Sequence, residues 1–265
     1  MKIFISADIE GITTTTLWDE TNSSHPSYPR HAMQMTDEVL ACIQGARSAG
    51  AEEIVVNDAH DTGVNIDPTR MPSGVTLIRN WSGHPYSMAF GVDKTFDAAF
   101  FVGYHSGSGR PGNPMSHTMS TRIVHMKLNG KTASEFMLYS YACALEGVPT
   151  VFLSGDKMLC DDSKGLHPNL ITCAVKDGNG AVTMNYSTED TVKNIRELSE
   201  KALSHDLTDA LVKLPDHFEL EVCFKDHARA EIAAWYPGVT RTGDNTVIYQ
   251  SDSFFEILRT IKWIL

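Results

Sequence analysis

Apolar positions in this chain gather into short continuous runs at Lys2 to Ala7, Glu53 to Val56, Val75 to Ile78, Ala98 to Gly103 and Thr150 to Ser154. Runs of this length, rich in Ile, Val and Phe, are what a parallel strand buried on both faces requires. Helical spacing separates them. Thr36 to Ala49 carries an amphipathic pattern that ends at Gly50, and Ser134 to Glu146 stops at Gly147, each glycine suited to close a helix. Alternating strand and helix predicts an α/β fold with a largely parallel sheet flanked by helices.

Two segments depart from that alternation. Arg122 to Leu128 followed by Asn129-Gly130 predicts a β-hairpin, because adjacent Asn and Gly accept the positive φ values of a tight turn. After about Pro168 the pattern becomes a strand at Leu170 to Val175, a long helix from Thr188 to Ser204, and a strand at Phe218 to Phe224. A helix near His227 to Trp235, a strand at Thr246 to Gln250 and a terminal amphipathic helix from Ser253 follow. This predicts a metal-binding α/β region over 1–170 and a smaller α+β lobe over 171–265 packed on it. Thr13 to Pro29, rich in Thr, Ser and Asn, reads as an irregular loop over a site.

Composition narrows the function. The chain has 265 residues, 42% of them hydrophobic and 21% charged, with no apolar stretch near the roughly 20 residues that span a bilayer, so a membrane role is not expected. A formal charge of −11 argues against a nucleic-acid partner, which requires clustered Lys and Arg, and favours a small ligand. Asp8 stands where a signal peptide would still be apolar, so a cytoplasmic setting is expected. The five cysteines are widely spaced, form no CxxC pair and read as free thiols.

Candidate chemistry lies at the strand ends. The first strand runs out through Asp8-Ile9-Glu10-Gly11, and a period of two places both carboxylates on one side of an extended chain. The next leaves through Asn57-Asp58-Ala59-His60 and a later one through Gly103-Tyr104-His105. Carboxyl ends of parallel strands share one edge, so Asp8, Glu10, His60 and His105 could meet there. Any one of these histidines could instead be a hydrogen-bonded structural residue. Glu135 opens a helix, where an acid has a sufficient explanation in the helix dipole; as a fifth donor it would complete three carboxylates and two imidazoles. Such a set, with Asp8 bridging, could hold two divalent ions about 3.5 to 4 Å apart, and the mixed donors suit zinc, with manganese or cobalt as substitutes. A glycine- and proline-rich loop from Ser106 carries His117, a candidate general acid or base, or else a structural histidine. The remaining histidines share no spacing. No Walker A, Rossmann or nucleophile-elbow pattern occurs.

These blocks carry a resemblance. Ser6-Ala7-Asp8-Ile9-Glu10-Gly11, Val56-Asn57-Asp58-Ala59-His60, Gly103-Tyr104-His105 and Met115-Ser116-His117-Thr118-Met119 look like the signature blocks, in order, of the DppA-type zinc-dependent D-aminopeptidases. Similarity extends to Ser154-Gly155-Asp156 and Thr240-Arg241-Thr242-Gly243. The resemblance implies a binuclear zinc aminopeptidase, two Zn2+ per subunit, releasing N-terminal D-amino acids such as D-alanine from short peptides. It also implies a homodecamer of two stacked pentameric rings. By motif, Asp8 would bridge the zincs, Glu10 would bind one, His60, His105 and Glu135 would complete the shells, and His117 would be the catalytic histidine. The family pattern treats His117 as a nucleophile, whereas proton transfer or oxyanion stabilisation suits an imidazole beside metal ions better. The residues alone leave open an amidase or L-peptidase, or a non-catalytic zinc-containing peptide-binding protein.

Overall fold

The structure, a computed structural model, describes residues 1–265, the side chain of Thr208 excepted. In chain order the strands are β1 (Lys2–Ala7), β2 (Glu53–Asp58), β3 (Val75–Ile78), β4 (Ala98–Tyr104), β5 (Ile123–Leu128), β6 (Lys131–Thr132) and β7 (Thr150–Asp156). β8 (Ile171–Asn179), β9 (Val182–Asn185), β10 (Phe218–Phe224), β11 (Thr240–Arg241) and β12 (Thr246–Ser251) complete the set. The helices are α1 (Tyr28–Ser48), α2 (Glu135–Leu145), α3 (Lys157–Ser163), α4 (Thr188–Ala202), α5 (His227–Ala233) and α6 (Phe254–Ile264).

A seven-stranded sheet in the order β3-β2-β1-β4-β7-β8-β9 is parallel except for the closing β8-β9 hairpin. Alternation along its central strands feeds two cores. Ile3, Ile5 and Ala7 of β1 and Phe100 and Val102 of β4 face α1 and α4. Phe4, Ala99, Phe101 and Tyr104 face the other way, joining α2 and α6 to a five-stranded antiparallel sheet, β11-β12-β10-β5-β6. Burial on both faces is why the central runs are uninterrupted in sequence.

The expected hairpin is present, with Asn129 and Gly130 both at positive φ (49° and 76°) between β5 and β6. The expected division near residue 170 does not coincide with the sheets. β8, β9 and α4, beyond that point, extend the parallel layer, whereas β5 and β6, before it, pair with β10 in the second sheet. The reason is that β5 finds its antiparallel partner far away in the chain, a non-local pairing that local patterning does not carry. α1 also begins earlier than its apolar spacing predicted, at Tyr28, with Pro29 in the first turn, where a missing N–H costs nothing. All five cysteines are free, four of them buried.

Candidate metal centre

β1 delivers Asp8 and Glu10 through a turn held on both sides. Asp8 N donates to the Val102 carbonyl (2.9 Å) and Gly11 N to that of Gly103 (2.8 Å), fixing the turn against β4. Glycine is required on both sides of that contact. A Cβ on Gly11 would lie 1.8 Å from the Tyr104 carbonyl oxygen, and one on Gly103, at φ 72°, would lie 2.3 Å from that of Asp8. β2 and β4 supply His60 and His105 just past their ends, as the shared edge predicts. α2 supplies Glu135 from its first turn. Ser134 caps that helix by accepting from Met137 N (3.1 Å), so the Glu135 carboxylate turns inwards, where Oε1 accepts from Met119 N (2.6 Å).

The five donors converge. His60 Nδ1 lies 2.9 Å from Glu10 Oε2 and 3.5 Å from Asp8 Oδ1; His105 Nε2 lies 3.5 Å from Asp8 Oδ2 and 3.3 Å from Glu135 Oε2. Asp8 thus faces both halves of the cluster. Donor atoms of Asp8, Glu10 and His60 form one group compact enough to hold an ion, and those of Asp8, His105 and Glu135 form another. His117 also faces the cluster, its Nε2 3.4 Å from Glu135 Oε1 and its ring stacked on His105 at 4.3 Å and 12°. Trp18 packs edge-on against His117 at 5.2 Å. All six residues singled out in sequence are therefore brought together.

Backbone carbonyls set the imidazole tautomers. His60 Nε2 donates to Thr21 O (3.0 Å), His105 Nδ1 to Ser106 O (3.0 Å) and His117 Nδ1 to Met115 O (2.9 Å). In the neutral ring each bond leaves the other nitrogen as a lone pair aimed at the centre, the arrangement in which histidine binds a metal. Thr21 belongs to the loop expected to border the site. Its role was invisible in sequence because it acts through its carbonyl, which every residue has.

Electrostatics point the same way. Burial, then the Glu10 charge, raises the Asp8 carboxyl well above its ordinary value. Burial opposes ionisation of Glu10, but the His60 charge and hydrogen bond outweigh it and hold the carboxyl low; His105 and His117 do the same for Glu135. His60 is raised well above the usual imidazole value, its burial outweighed by Glu10 and Asp8, and His105 is pushed up to about 10, burial outweighed by Glu135. Three buried carboxylates thus demand positive charge among them. Asp8 Oδ2 and His105 Nε2 are buried without a hydrogen-bond partner, and Glu10 Oε2, equally buried, has only His60 Nδ1 within reach. Orphaned acceptors in a buried cluster of acids and imidazoles fit divalent cations, and the donor set fits Zn2+. Other histidines behave as expected of surface or satisfied residues: His31 bonds Thr14 Oγ1, His167 bonds Ser140 Oγ and His125 pairs with Glu221.

The centre opens into a cavity of about 530 Å3 bounded further by Trp18, Trp81, Met88, Met119, Arg122 and Lys262, a size that suits a small ligand.

Comparison with known proteins gives one consistent result. The model of peptidase family M55, described as D-aminopeptidase, matches residues 1–263. A D-aminopeptidase of Bacillus subtilis (strain 168) is 33% identical over 265 residues, covering 97% of this chain and 93% of that protein. A solved structure described as Zn-dependent D-aminopeptidase DppA from Bacillus subtilis, a self-compartmentalizing protease, superposes with a TM-score of 0.93 at 29% identity, covering all of this chain and 96% of the other.

Proposed function

The chain belongs to the M55 D-aminopeptidase family, and from that membership and the donor cluster we propose that it is a zinc-dependent aminopeptidase releasing N-terminal D-amino acids from short peptides. The observation that carries this reading is the convergence of Asp8, Glu10, His60, His105 and Glu135, with Asp8 Oδ2 and His105 Nε2 buried and unpartnered at its middle. The relatives' names favour it over an amidase, an L-peptidase or a non-catalytic zinc protein.

In this reading Asp8, Glu10, His60, His105 and Glu135 would hold two Zn2+. The bound pair supplies Lewis acidity for the scissile carbonyl and lowers the pKa of water towards about 7. The chain's own residues do the rest. The Thr21 and Ser106 carbonyls keep the His60 and His105 lone pairs on the centre, which fixes donor geometry before substrate arrives. His117, held by the Met115 carbonyl at Nδ1, presents Nε2 to the cavity, where it takes a proton from the attacking water and passes it to the departing amine. Trp18, packed edge-on against the His117 ring at 5.2 Å, restricts where that ring can turn.

The solved relative is described as self-compartmentalizing; we extend assembly to this chain, as a decamer of two stacked pentameric rings. No helix is long and apolar enough to cross a membrane. Five free thiols support a cytoplasmic setting.

Metal content per subunit together with turnover of matched D- and L-dipeptides tests the reading. Two zinc ions with cleavage confined to the D series are expected. One tightly held ion and no turnover would return the site to a structural role.

A further inference from the structure

The cavity is unequally charged. Its floor carries Asp8, Glu10 and Glu135, while its wall carries two cations, Arg122 and Lys262. Both are exposed, and among the described residues neither side chain has an ion-pair partner or a hydrogen-bonded acceptor. In a chain with eleven more acids than bases, two unanswered cations in one cavity are a feature to explain. They stand on different, anchored elements. Arg122 precedes β5, its N–H donating to Ser120 Oγ (3.2 Å) and its carbonyl accepting from Lys225 N (2.8 Å). Lys262 lies in the last turn of α6, whose other face buries Ile257, Leu258 and Ile261. A cation in a last turn is sufficiently explained by the helix dipole; no such explanation covers Arg122, nor the meeting of the two in the same cavity.

A short peptide with free ends is a zwitterion, cationic at its amine and anionic at its carboxylate. The geometry points to Arg122 and Lys262 as the receptor for the substrate's free C-terminal carboxylate. The preferred substrates are then di- and tripeptides with an unblocked C-terminus. This rests on the peptidase reading above and deepens it. With the amine end and the scissile bond at the metal centre, the carboxylate falls to Arg122 and Lys262 on the wall of the same cavity, so the cation pair orients the peptide and selects against chains whose carboxylate lies beyond the cavity. Guanidinium suits the task because its planar fork matches a carboxylate. Asp61, also exposed in the cavity wall, opposes the two cations and limits how strongly they act.

The test compares D-alanyl-D-alanine with D-alanyl-D-alaninamide on the zinc-loaded enzyme, wild type and Arg122→Ala/Lys262→Ala. A charge-assisted contact at a half-open wall is worth about tenfold in binding, so kcat/KM should favour the acid over the amide by about that factor in the wild type. The ratio should collapse towards one in the double variant, through KM more than kcat, since this contact serves ground state and transition state alike. Raising ionic strength should weaken the wild-type preference and leave the variant's ratio flat. Calorimetric titration of the same two peptides with the scissile amide reduced to CH2–NH gives a readout independent of turnover and should show the same discrimination. An equal ratio in both proteins, or no preference in the wild type while both peptides are cleaved, overturns the carboxylate receptor and leaves the peptidase standing. Failure of the zinc-loaded wild type to cleave either peptide overturns the peptidase reading and the receptor with it.

Discussion

Acids at the carboxyl ends of neighbouring strands have two different fates in this fold. Asp58 closes β2 and Asp156 closes β7, and both are saturated: Asp58 accepts from Asn65 N (2.5 Å), Ile66 N (2.7 Å) and Asn65 Nδ2 (2.7 Å), Asp156 from Ser106 N (2.6 Å), Ser106 Oγ (2.6 Å) and Leu159 N (2.8 Å). Asp8, on the strand between them, keeps Oδ2 without a partner, and Glu10 Oε2 has only His60 Nδ1, 2.9 Å away. All four side chains are buried. The difference is in who answers the charge. Loop N–H groups answer the first pair, so those carboxylates organise the loops that carry His60 and His105. Apart from Ile9 N, which donates to Asp8 Oδ1 (2.9 Å), the second pair is answered by imidazole alone, and these are the acids a cation would neutralise.

The comparison breaks most sharply under substitution. Asp8→Asn should lower kcat/KM about a thousandfold and reduce bound zinc. The metal-free protein should be no less stable, because burial and the neighbouring Glu10 already disfavour the Asp8 charge. Asp156→Ala should do the reverse in the metal-free protein, costing about 3 kcal/mol by leaving Ser106 N, Ser106 Oγ and the α3 cap at Leu159 N unanswered. Denaturant unfolding of both variants after chelation, with zinc content measured before it, separates the two. Equal destabilisation would mean that the orphaned and the saturated acids are the same kind of group.

Sequence patterning reached one side of that distinction and not the other. Asp8, Glu10, His60 and His105 were legible because strand ends of a parallel sheet are predictable from apolar runs, and acids and histidines at those ends stand out; Glu135 and His117 gained their roles only from the family resemblance. Asp58 and Asp156 stood in the same blocks, yet their saturation depends on Asn65, Ser106 and Leu159, whose donors arrive through loop and helix geometry that no local pattern encodes. Glu135 shows the same limit from the other direction. Its position in a first turn had a sufficient explanation in the helix dipole, and only the inward turn of its carboxylate, with Ser134 doing the capping, shows it to be a donor. The second sheet was hidden in part for a related reason. β6 and β11 are only two exposed residues each, and β5 pairs with a strand almost a hundred positions away.

Glu38 offers a smaller test, since it is intermediate between the two classes. It is fully buried on α1, its Oε1 accepts from Thr13 N (3.0 Å) and Gln34 Nε2 (3.1 Å), and its Oε2 has no partner. Burial pushes its carboxyl up from 4.5 to about 7. Between those values the folded state holds a proton that the unfolded state has released, so stability falls as pH rises from about 4.5 to about 7 and is flat above. The group should account for about 3 kcal/mol of that fall. Glu38→Gln should remove this part of the slope in unfolding measurements at pH 5, 6, 7 and 8. An unchanged slope would place the Glu38 carboxylate among the saturated acids.

The smallest effect concerns a buried cation that serves the orphaned acids without touching their carboxylates. Lys176 on β8 is fully buried, and its Nζ donates to the carbonyls of Glu10 and Thr15 (2.6 Å to the latter) and to Thr15 Oγ1 (3.0 Å). Burial lowers its pKa to about 8, with Asp156 and Glu38 opposing. It ties the turn that carries Glu10 to a strand outside the donor set, so Lys176→Met should loosen Glu10 and lower zinc affinity about tenfold, the scale of an orienting contact behind a ligand. Turnover at saturating zinc should fall less than affinity does. Chelator competition measures the first quantity and steady-state kinetics the second. Unaltered affinity would assign the placement of Glu10 to Asn113 Nδ2 (3.0 Å) and Thr15 Oγ1 (3.1 Å), which donate to the same Glu10 carbonyl. The buried charge of Lys176 would then serve the saturated acids alone, through Asp156.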